Sequence, residues 1–479
     1  MEHNRGSWGS NTGFLLAAIG SAVGLGNIWS FPYKMGRCGG FLFFILYLLL
    51  SVFVGFVIMA GELAMGRKTG RGAVGAYHAL SKRFRWVGWL AVFSPFVVMG
   101  FYAVLGGYCM EYMVLNLSHL VIPGMQSQRG AEAFQMMLSH PMRSLISMLA
   151  FMAVCYLISR SGVSGGIERF NKVGMPALFG MLAIMIVRSL SLPNAMEGLK
   201  FMFLPGYAVE AGFIQQAPGF ASILATAGGQ MFFSLSLAMG AMITYGSYLD
   251  KKQDLGKSAM IIVGMDTVVA LMAGLCVIPG RFALDPNGAL GGPELLFITM
   301  QNVFDKMGSI GPIFGILFYL LVVFAAISSS ISLLEVIVAH FCDKAREKGK
   351  GDRRKLYSAI AVVICAALCA LVCADGMGSN HISPAELLGL AGAKLPGWST
   401  SWLGLFDSVA EGLLMPLGAL LMCLMISWEL KPDALRQEIL LNGENRPWVY
   451  DFFRLCVKYI TPLCMLMILY GQISDFFIA

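Results

Sequence analysis

The chain has 479 residues, 57% of them hydrophobic and 13% charged, with a formal net charge of +7. That apolar excess excludes a soluble globular protein and suits a polytopic helical membrane protein. The positive charge is spread over short connections between apolar segments, a distribution that speaks for membrane orientation and against nucleic-acid binding.

The first apolar segment, residues 12–36, is interrupted by Gly20-Ser21-Ala22-Val23-Gly24-Leu25-Gly26-Asn27 and runs on to Pro32. Clustered glycines, a buried amide and a proline make a poor continuous helix. Broken backbone at membrane depth is tolerated only where protein or a wet cavity satisfies its free N–H and C=O groups. Such a break leaves carbonyls for a cation and a half-helix N-terminus for an anion, so the stretch reads as a binding site. The segment lacks the pattern of a cleavable signal peptide.

Further spans are expected at 40–66, 86–118, 143–159, 167–188, 219–248, 255–280, 310–342, 356–374, 401–429 and 447–474, eleven in all. Placing the N-terminus in the cytoplasm puts 23 of the 34 Lys and Arg residues on cytoplasmic segments, with the densest block at Lys344–Lys355. The positive-inside rule then predicts an N-in, C-out, multi-pass protein. The outer connections 119–142, 189–218, 281–309 and 375–400 are longer and could cap an outer entrance. A second interruption, Gly228 to Gly240, falls in the sixth span. Breaks in the first spans of two five-span halves predict an inverted repeat, about 8–190 and 215–430, with the span 447–474 outside it. The fold class is therefore all-α integral membrane protein, one transporter domain over 1–479.

Ionisable groups inside spans cost about 2.5–3.5 kcal/mol at the bilayer centre on insertion scales and need a reason. Asp266 has no Lys or Arg in its own span; a cation, a proton or plain hydrogen bonding would each neutralise or satisfy it. Glu62, Glu111 and Glu335 read as hydrogen-bonding groups of the scaffold. Ala325 to Ser330 is a hydroxyl cluster that either bonds back to its own helix or offers oxygens to a cation. The eleven cysteines show no metal spacing, and Cys365, Cys369 and Cys373 on one helix face read as packing. The six histidines lie mostly at loops or span ends, and no nucleophile–base pair stands out, so no enzyme is expected.

With GSAVGLGNIW at 20–29, FPY at 31–33, GELAMGR at 61–67, GQMFFSLSLAMGAMITYGSY at 229–248 and FAAISSSIS at 324–332, the chain resembles the neurotransmitter:sodium symporter family, in particular its bacterial eleven-span amino-acid transporters. The resemblance implies two sodium sites. The first would use the Ala22 carbonyl, Asn27, Ser234, Asp266 and the substrate carboxylate. The second would use the Gly20, Val23 and Ala325 carbonyls with the Ser328 and Ser329 hydroxyls. It implies a substrate pocket of Ser21, Ala22, Leu25, Gly26, Val98, Tyr102, Phe233, Ser234, Ser236, Met239, Ser329 and Leu333, with Tyr102 donating to the carboxylate and Phe233 as outer lid.

Monoamine carriers of the family hold an aspartate where this chain has Gly24, so a substrate bringing its own carboxylate is implied. Chloride-dependent members place an anion near the residues matching Tyr47, Gln230, Ser234 and Ala270. Asp266 stands where those members usually carry asparagine, and chloride independence follows. The adaptable apolar wall around Met239 favours a large hydrophobic or aromatic L-amino acid. Arg5, Trp8, Tyr248 and Asp343 match the inner gate. At the outer gate Asp407 matches the acid, but Ser30 replaces the arginine; Lys34 one turn further out, or Phe233 and Tyr102 alone, would take its part. Gly166 and Pro176 resemble a glycine–nine residues–proline motif whose unwinding would let water reach the second sodium. The implied function is sodium-coupled amino-acid import across the bacterial inner membrane, by a monomer or weak homodimer. The rival readings are a non-transporting amino-acid receptor on the same scaffold and a symporter of another small zwitterion.

Overall fold

The computed structural model describes residues 7–121, 130–216, 218–286, 292–350, 353–390, 397–440 and 447–477. Among them every regular element is a helix. Among the described residues nine helices are long and apolar enough to cross a membrane: Phe41–Thr69, Val87–Val121, Pro141–Ser159, Val163–Leu190, Leu255–Leu284, Gly308–Glu347, Arg354–Asp375, Trp402–Leu430 and Pro447–Ser474. The first span is a pair, Asn11–Ala22 and Gly26–Arg37, bent by 44°. With the pair Phe220–Ser234 and Ala241–Gly246, the arrangement fits the eleven spans expected.

Several helices overrun the apolar windows. The eighth span reaches Glu347 and the fifth starts at Val163, in a π-helical turn over Val163–Glu168. Hydropathy marks the hydrocarbon-embedded part only; the backbone stays hydrogen-bonded helix into the polar layers. In the sixth span Gly228 and Gly229 are helical, and the break lies later, over residues 235–240.

The first span packs against the fifth, seventh and eighth, and the eighth runs along the third. The second span flanks both halves of the sixth. Here GELAMGR acquires a structural meaning. A Cβ on Gly66 would lie 2.0 Å from the Ile243 carbonyl oxygen, and one on Gly246 would lie 2.5 Å from that of Leu63. Only paired glycines let these helices cross so closely. Beyond the crossing, Arg67 bonds Glu438 and the Gln253 carbonyl, tying two connections at that end of the bundle to the span.

The outer connections carry helices of their own, including Gly130–Ser139 and Ala195–Phe203. Phe134 stacks on Phe297 (5.5 Å), which meets Tyr108 and Tyr112, while Tyr319 donates to the Leu296 carbonyl (3.0 Å). The end of the bundle above the third and eighth spans, expected to face outward, is thus anchored by aromatic packing.

Candidate functional site

The first break redirects backbone bonding to side chains. The helix Asn11–Ala22 ends at Val23 in extended conformation, and winding resumes at Gly26 as a π turn. Gly24 N–H donates to Asn27 Oδ1 (3.0 Å) and Leu25 N–H to the Tyr102 hydroxyl oxygen (2.8 Å). The carbonyls of Gly20 and Ser21 instead accept from Ser329 Oγ (3.4 and 3.0 Å). Ser21 also accepts from Ser236 Oγ (2.8 Å), and Ser328 Oγ spans the Val23 and Ala325 carbonyls (3.4 and 2.8 Å). A hydroxyl has one proton to give. Ser328 and Ser329 therefore stand among more carbonyl oxygens than their protons can serve, a buried, neutral, oxygen-rich seam between the first and eighth spans.

A second cluster surrounds Asp266. Its carboxylate accepts from Asn27 Nδ2 (2.7 Å), Tyr47 Oη (3.0 Å) and Ser234 Oγ (3.0 Å), and Asn27 Nδ2 also reaches the Asp266 carbonyl (3.1 Å). All four side chains are fully buried and the three donors are neutral. Ser234 closes the outer half of the sixth span. Past it, Ser236 and Ala238 have positive φ (52° and 58°), strained for residues with a Cβ. Glu62 Oε1 accepts from Ala238 N–H (2.7 Å) and so holds that strained loop, the scaffold role expected of it.

Between the two breaks lies a closed cavity lined by Ala22, Gly24, Gly26, Val98, Tyr102, Phe233, Ser236, Met239, Ser329 and Leu333. Nine of these ten are predicted pocket residues, and Gly24 is the addition. Ser21, Leu25 and Ser234 sit behind the wall, through a carbonyl, an N–H and a hydroxyl respectively. The free volume is about 10 Å³, one water's worth; a bulky guest enters only if Met239 and Phe233 yield. Phe233 stacks on Phe101 and meets Tyr102 edge-on, both at 6.1 Å.

Outward of Phe233 the sequence expectation is met by a different residue pair. Ser30 Oγ donates to Gln230 Oε1 (2.7 Å), and Gln230 Nε2 donates to the Gly26 carbonyl (2.7 Å), a neutral link at the position where the family usually carries arginine. Lys34 forms a buried ion pair with Glu411, and its ammonium lies 5.9 Å from the Phe233 ring centroid. Asp407, one turn earlier in the tenth span, is in electrostatic reach of the same lysine. Glu411 escaped the sequence reading, although the signal existed: Lys34, which was considered, lies four residues beyond Ser30, and Glu411 lies four beyond Asp407, so both partners slip by one turn. Lys34→Ala is expected to destabilise the protein by about 3–5 kcal/mol, as removal of one partner of a buried pair does. Glu411→Ala is expected to cost less, because Asp407 remains near the lysine. Thermal midpoints of the two variants check that asymmetry.

At the end of the bundle expected to face the cytoplasm, Trp8 donates from Nε1 to the Tyr245 carbonyl (3.2 Å) and packs on Phe14 and Tyr245. Tyr248 donates to Glu335 (2.7 Å), which also takes the guanidinium of Arg354; Arg354 reaches the Ser159 carbonyl as well (3.1 Å). Arg354, read in the sequence only as orienting charge, cross-links three spans. Asp343 accepts from Gly72 N–H (3.0 Å) and lies 3.9 Å from Arg346; its expected partner Arg5 lies outside the described residues. Between Gly166 and Pro176 the fifth span is wound throughout. A Cβ on Gly166 would stand 2.1 Å from the Ile158 carbonyl oxygen, so in this conformation that glycine serves close packing.

The chain matches the family model "Sodium:neurotransmitter symporter family" over residues 5–133 and 128–477. It is 36% identical to the "Uncharacterized sodium-dependent transporter YhdH" of Bacillus subtilis, with 98% of this chain and 97% of that one covered. It is 30% identical over 58% of its length to the sodium-dependent neutral amino acid transporter B(0)AT3 of Mus musculus, covering 48% of that protein. The crystal structure of MhsT in complex with L-phenylalanine superposes with a TM-score of 0.84 at 33% identity, covering 98% of this chain and 100% of MhsT. An all-helical chain broken at its first and sixth spans, with these matches along nearly its whole length, belongs to the sodium:neurotransmitter symporter family.

Proposed function

We propose that this protein imports a large hydrophobic or aromatic L-amino acid together with two sodium ions, by alternating access, across the bacterial inner membrane with its N-terminus in the cytoplasm. The observation that carries the reading is the pair of buried oxygen clusters flanking one closed cavity. Sodium, a hard cation, favours anionic and neutral oxygens. At Asp266, Asn27 and Ser234 a carboxylate meets only neutral groups, so a cation there, with the Ala22 carbonyl as the further oxygen the family resemblance implies, neutralises a buried charge. At Gly20, Val23, Ala325, Ser328 and Ser329 carbonyls outnumber hydroxyl protons, which suits a second cation held by dipoles alone.

The cavity residues give the substrate its orientation. Tyr102 accepts from Leu25 N–H and keeps its own proton to donate to a substrate carboxylate beside the first sodium. Met239, Val98 and Leu333 form an apolar wall, and methionine adapts to varied side chains. The likeness to MhsT, seen with L-phenylalanine, supports the aromatic end of that range. Sodium and substrate then share the first site, and each strengthens the other's binding by the same factor. Breaking Lys34–Glu411 and lifting Phe233 would open the outer side. Parting Trp8 from Tyr245, with Tyr248 and Asp343, would open the inner side.

The test is a panel of amino acids scored for thermal stabilisation of the purified protein in sodium and in potassium, followed by vesicle uptake. Aromatic and large aliphatic L-amino acids are expected to stabilise in sodium only and to accumulate along a sodium gradient. Equal stabilisation in potassium would remove the sodium sites; binding without accumulation would favour a receptor. Because Asp266 supplies the negative charge at the first site, replacing chloride by gluconate is expected to leave sodium-driven uptake unchanged.

A further inference from the structure

Asn171 is fully buried in the fifth span. Its Nδ2 donates to the Ile167 carbonyl one turn back (2.9 Å), while its Oδ1 has no hydrogen-bond partner among the described residues. A buried carbonyl oxygen left unpaired forfeits its hydration with nothing in return. Exchanging the two amide atoms would set Oδ1 against the Ile167 oxygen, two acceptors facing each other, so the orientation is determined by its own helix.

The unpaired oxygen points at the oxygen-rich seam. A Cβ on Gly20 would lie 1.9 Å from Asn171 Oδ1 and 3.3 Å from Ser328 Cβ. The amide oxygen thus occupies the space a side chain on Gly20 would fill, between two residues of the second cation set. Packing against glycine Cα–H groups is the alternative account, and such contacts are weaker than the hydrogen bond that is missing. A hard cation is a better partner for this neutral oxygen.

The same helix grips the first span at a second point. Glu168, three residues before Asn171 and so on the same face, accepts from Gly9 N–H (2.6 Å) and Ser10 Oγ (3.0 Å). Between Gly166 and Pro176, the fifth span therefore meets the start of the first span and its break.

We propose that Asn171 Oδ1 is a further ligand of the second sodium site, making the fifth span part of that site together with the first and eighth. An ion bound there holds the fifth span against the first, and withdrawal of the fifth span removes one oxygen and loosens the ion towards the cytoplasm. This rests on the two-sodium reading above.

The test titrates sodium against the thermal midpoint of the purified full-length protein without substrate, with potassium keeping ionic strength constant. Asn171→Ala is expected to raise the sodium concentration for half-maximal stabilisation about tenfold. Asn171→Asp, nearly isosteric and anionic, is expected to lower it. A wild-type protein that sodium does not stabilise over potassium would overturn the parent reading and this inference together. A wild-type response with unchanged half-saturation in both variants would overturn the role of Asn171 alone, whatever their midpoints in potassium. If the alanine variant does not fold, the aspartate variant decides: a lower half-saturation supports the role, and an unchanged one overturns it.

Discussion

Asp266→Ala is expected to abolish sodium-dependent substrate binding. In the structure the carboxylate is met by Asn27, Tyr47 and Ser234, all neutral and all buried. A cation at this position would face its single anion from the protein, so truncation removes the whole charge partnership. Removing one partner of a buried charge pair costs about 2–5 kcal/mol, roughly 30- to 4000-fold in affinity. By reciprocity the loss appears in both sodium and substrate titrations. Asp266→Asn separates charge from shape: it is expected to lose sodium-dependent binding in gluconate and to regain part of it when chloride is supplied. Sodium titrations of substrate-induced thermal stabilisation check both variants, and Asp266→Ala with wild-type sodium dependence would refute the first site.

Gly24→Asp is expected to abolish binding rather than convert the protein into an amine carrier. A Cβ on Gly24 would lie 2.2 Å from Ser329 Oγ and 2.3 Å from the Tyr102 hydroxyl. Neither neighbour is free to step aside: Ser329 is held by the Gly20 and Ser21 carbonyls and Tyr102 by Leu25 N–H. Even Gly24→Ala overpacks this point, at about 1–3 kcal/mol, and displaces the hydroxyl proposed to orient the substrate carboxylate. Affinities for the best amino acid and for its decarboxylated amine, measured on both variants, are expected to fall below detection for the aspartate. Wild-type affinity in Gly24→Ala would mean that Tyr102 and Ser329 relax freely.

Much of the site was legible because its chemistry is local. The breaks at Gly20–Asn27 and in the sixth span announce themselves through consecutive glycines and through serines where hydrophobic residues would otherwise run. The pocket residues came from the family resemblance rather than from local pattern, and nine of them line one cavity. The position of the second break was less legible. Gly228 and Gly229 stay helical, while Ser236 and Ala238 take the left-handed conformation because Glu62, from another span, holds the loop they form. At the outer gate the family's positions suggested Asp407, and the packing chose Glu411.

The sequence by itself determined the membrane class, the approximate place of the spans, and the chemical character of the two clusters. Hydropathy, glycine and proline act over consecutive residues and survive without a fold. Only the tertiary structure decided which distant groups meet. Lys34 finds Glu411 across 377 positions and Asn27 finds Asp266 across 239. Asn171 takes the space that Gly20 leaves open. Those meetings depend on helix rotation and crossing depth, which one residue's shift along a span would change, and no local pattern records them.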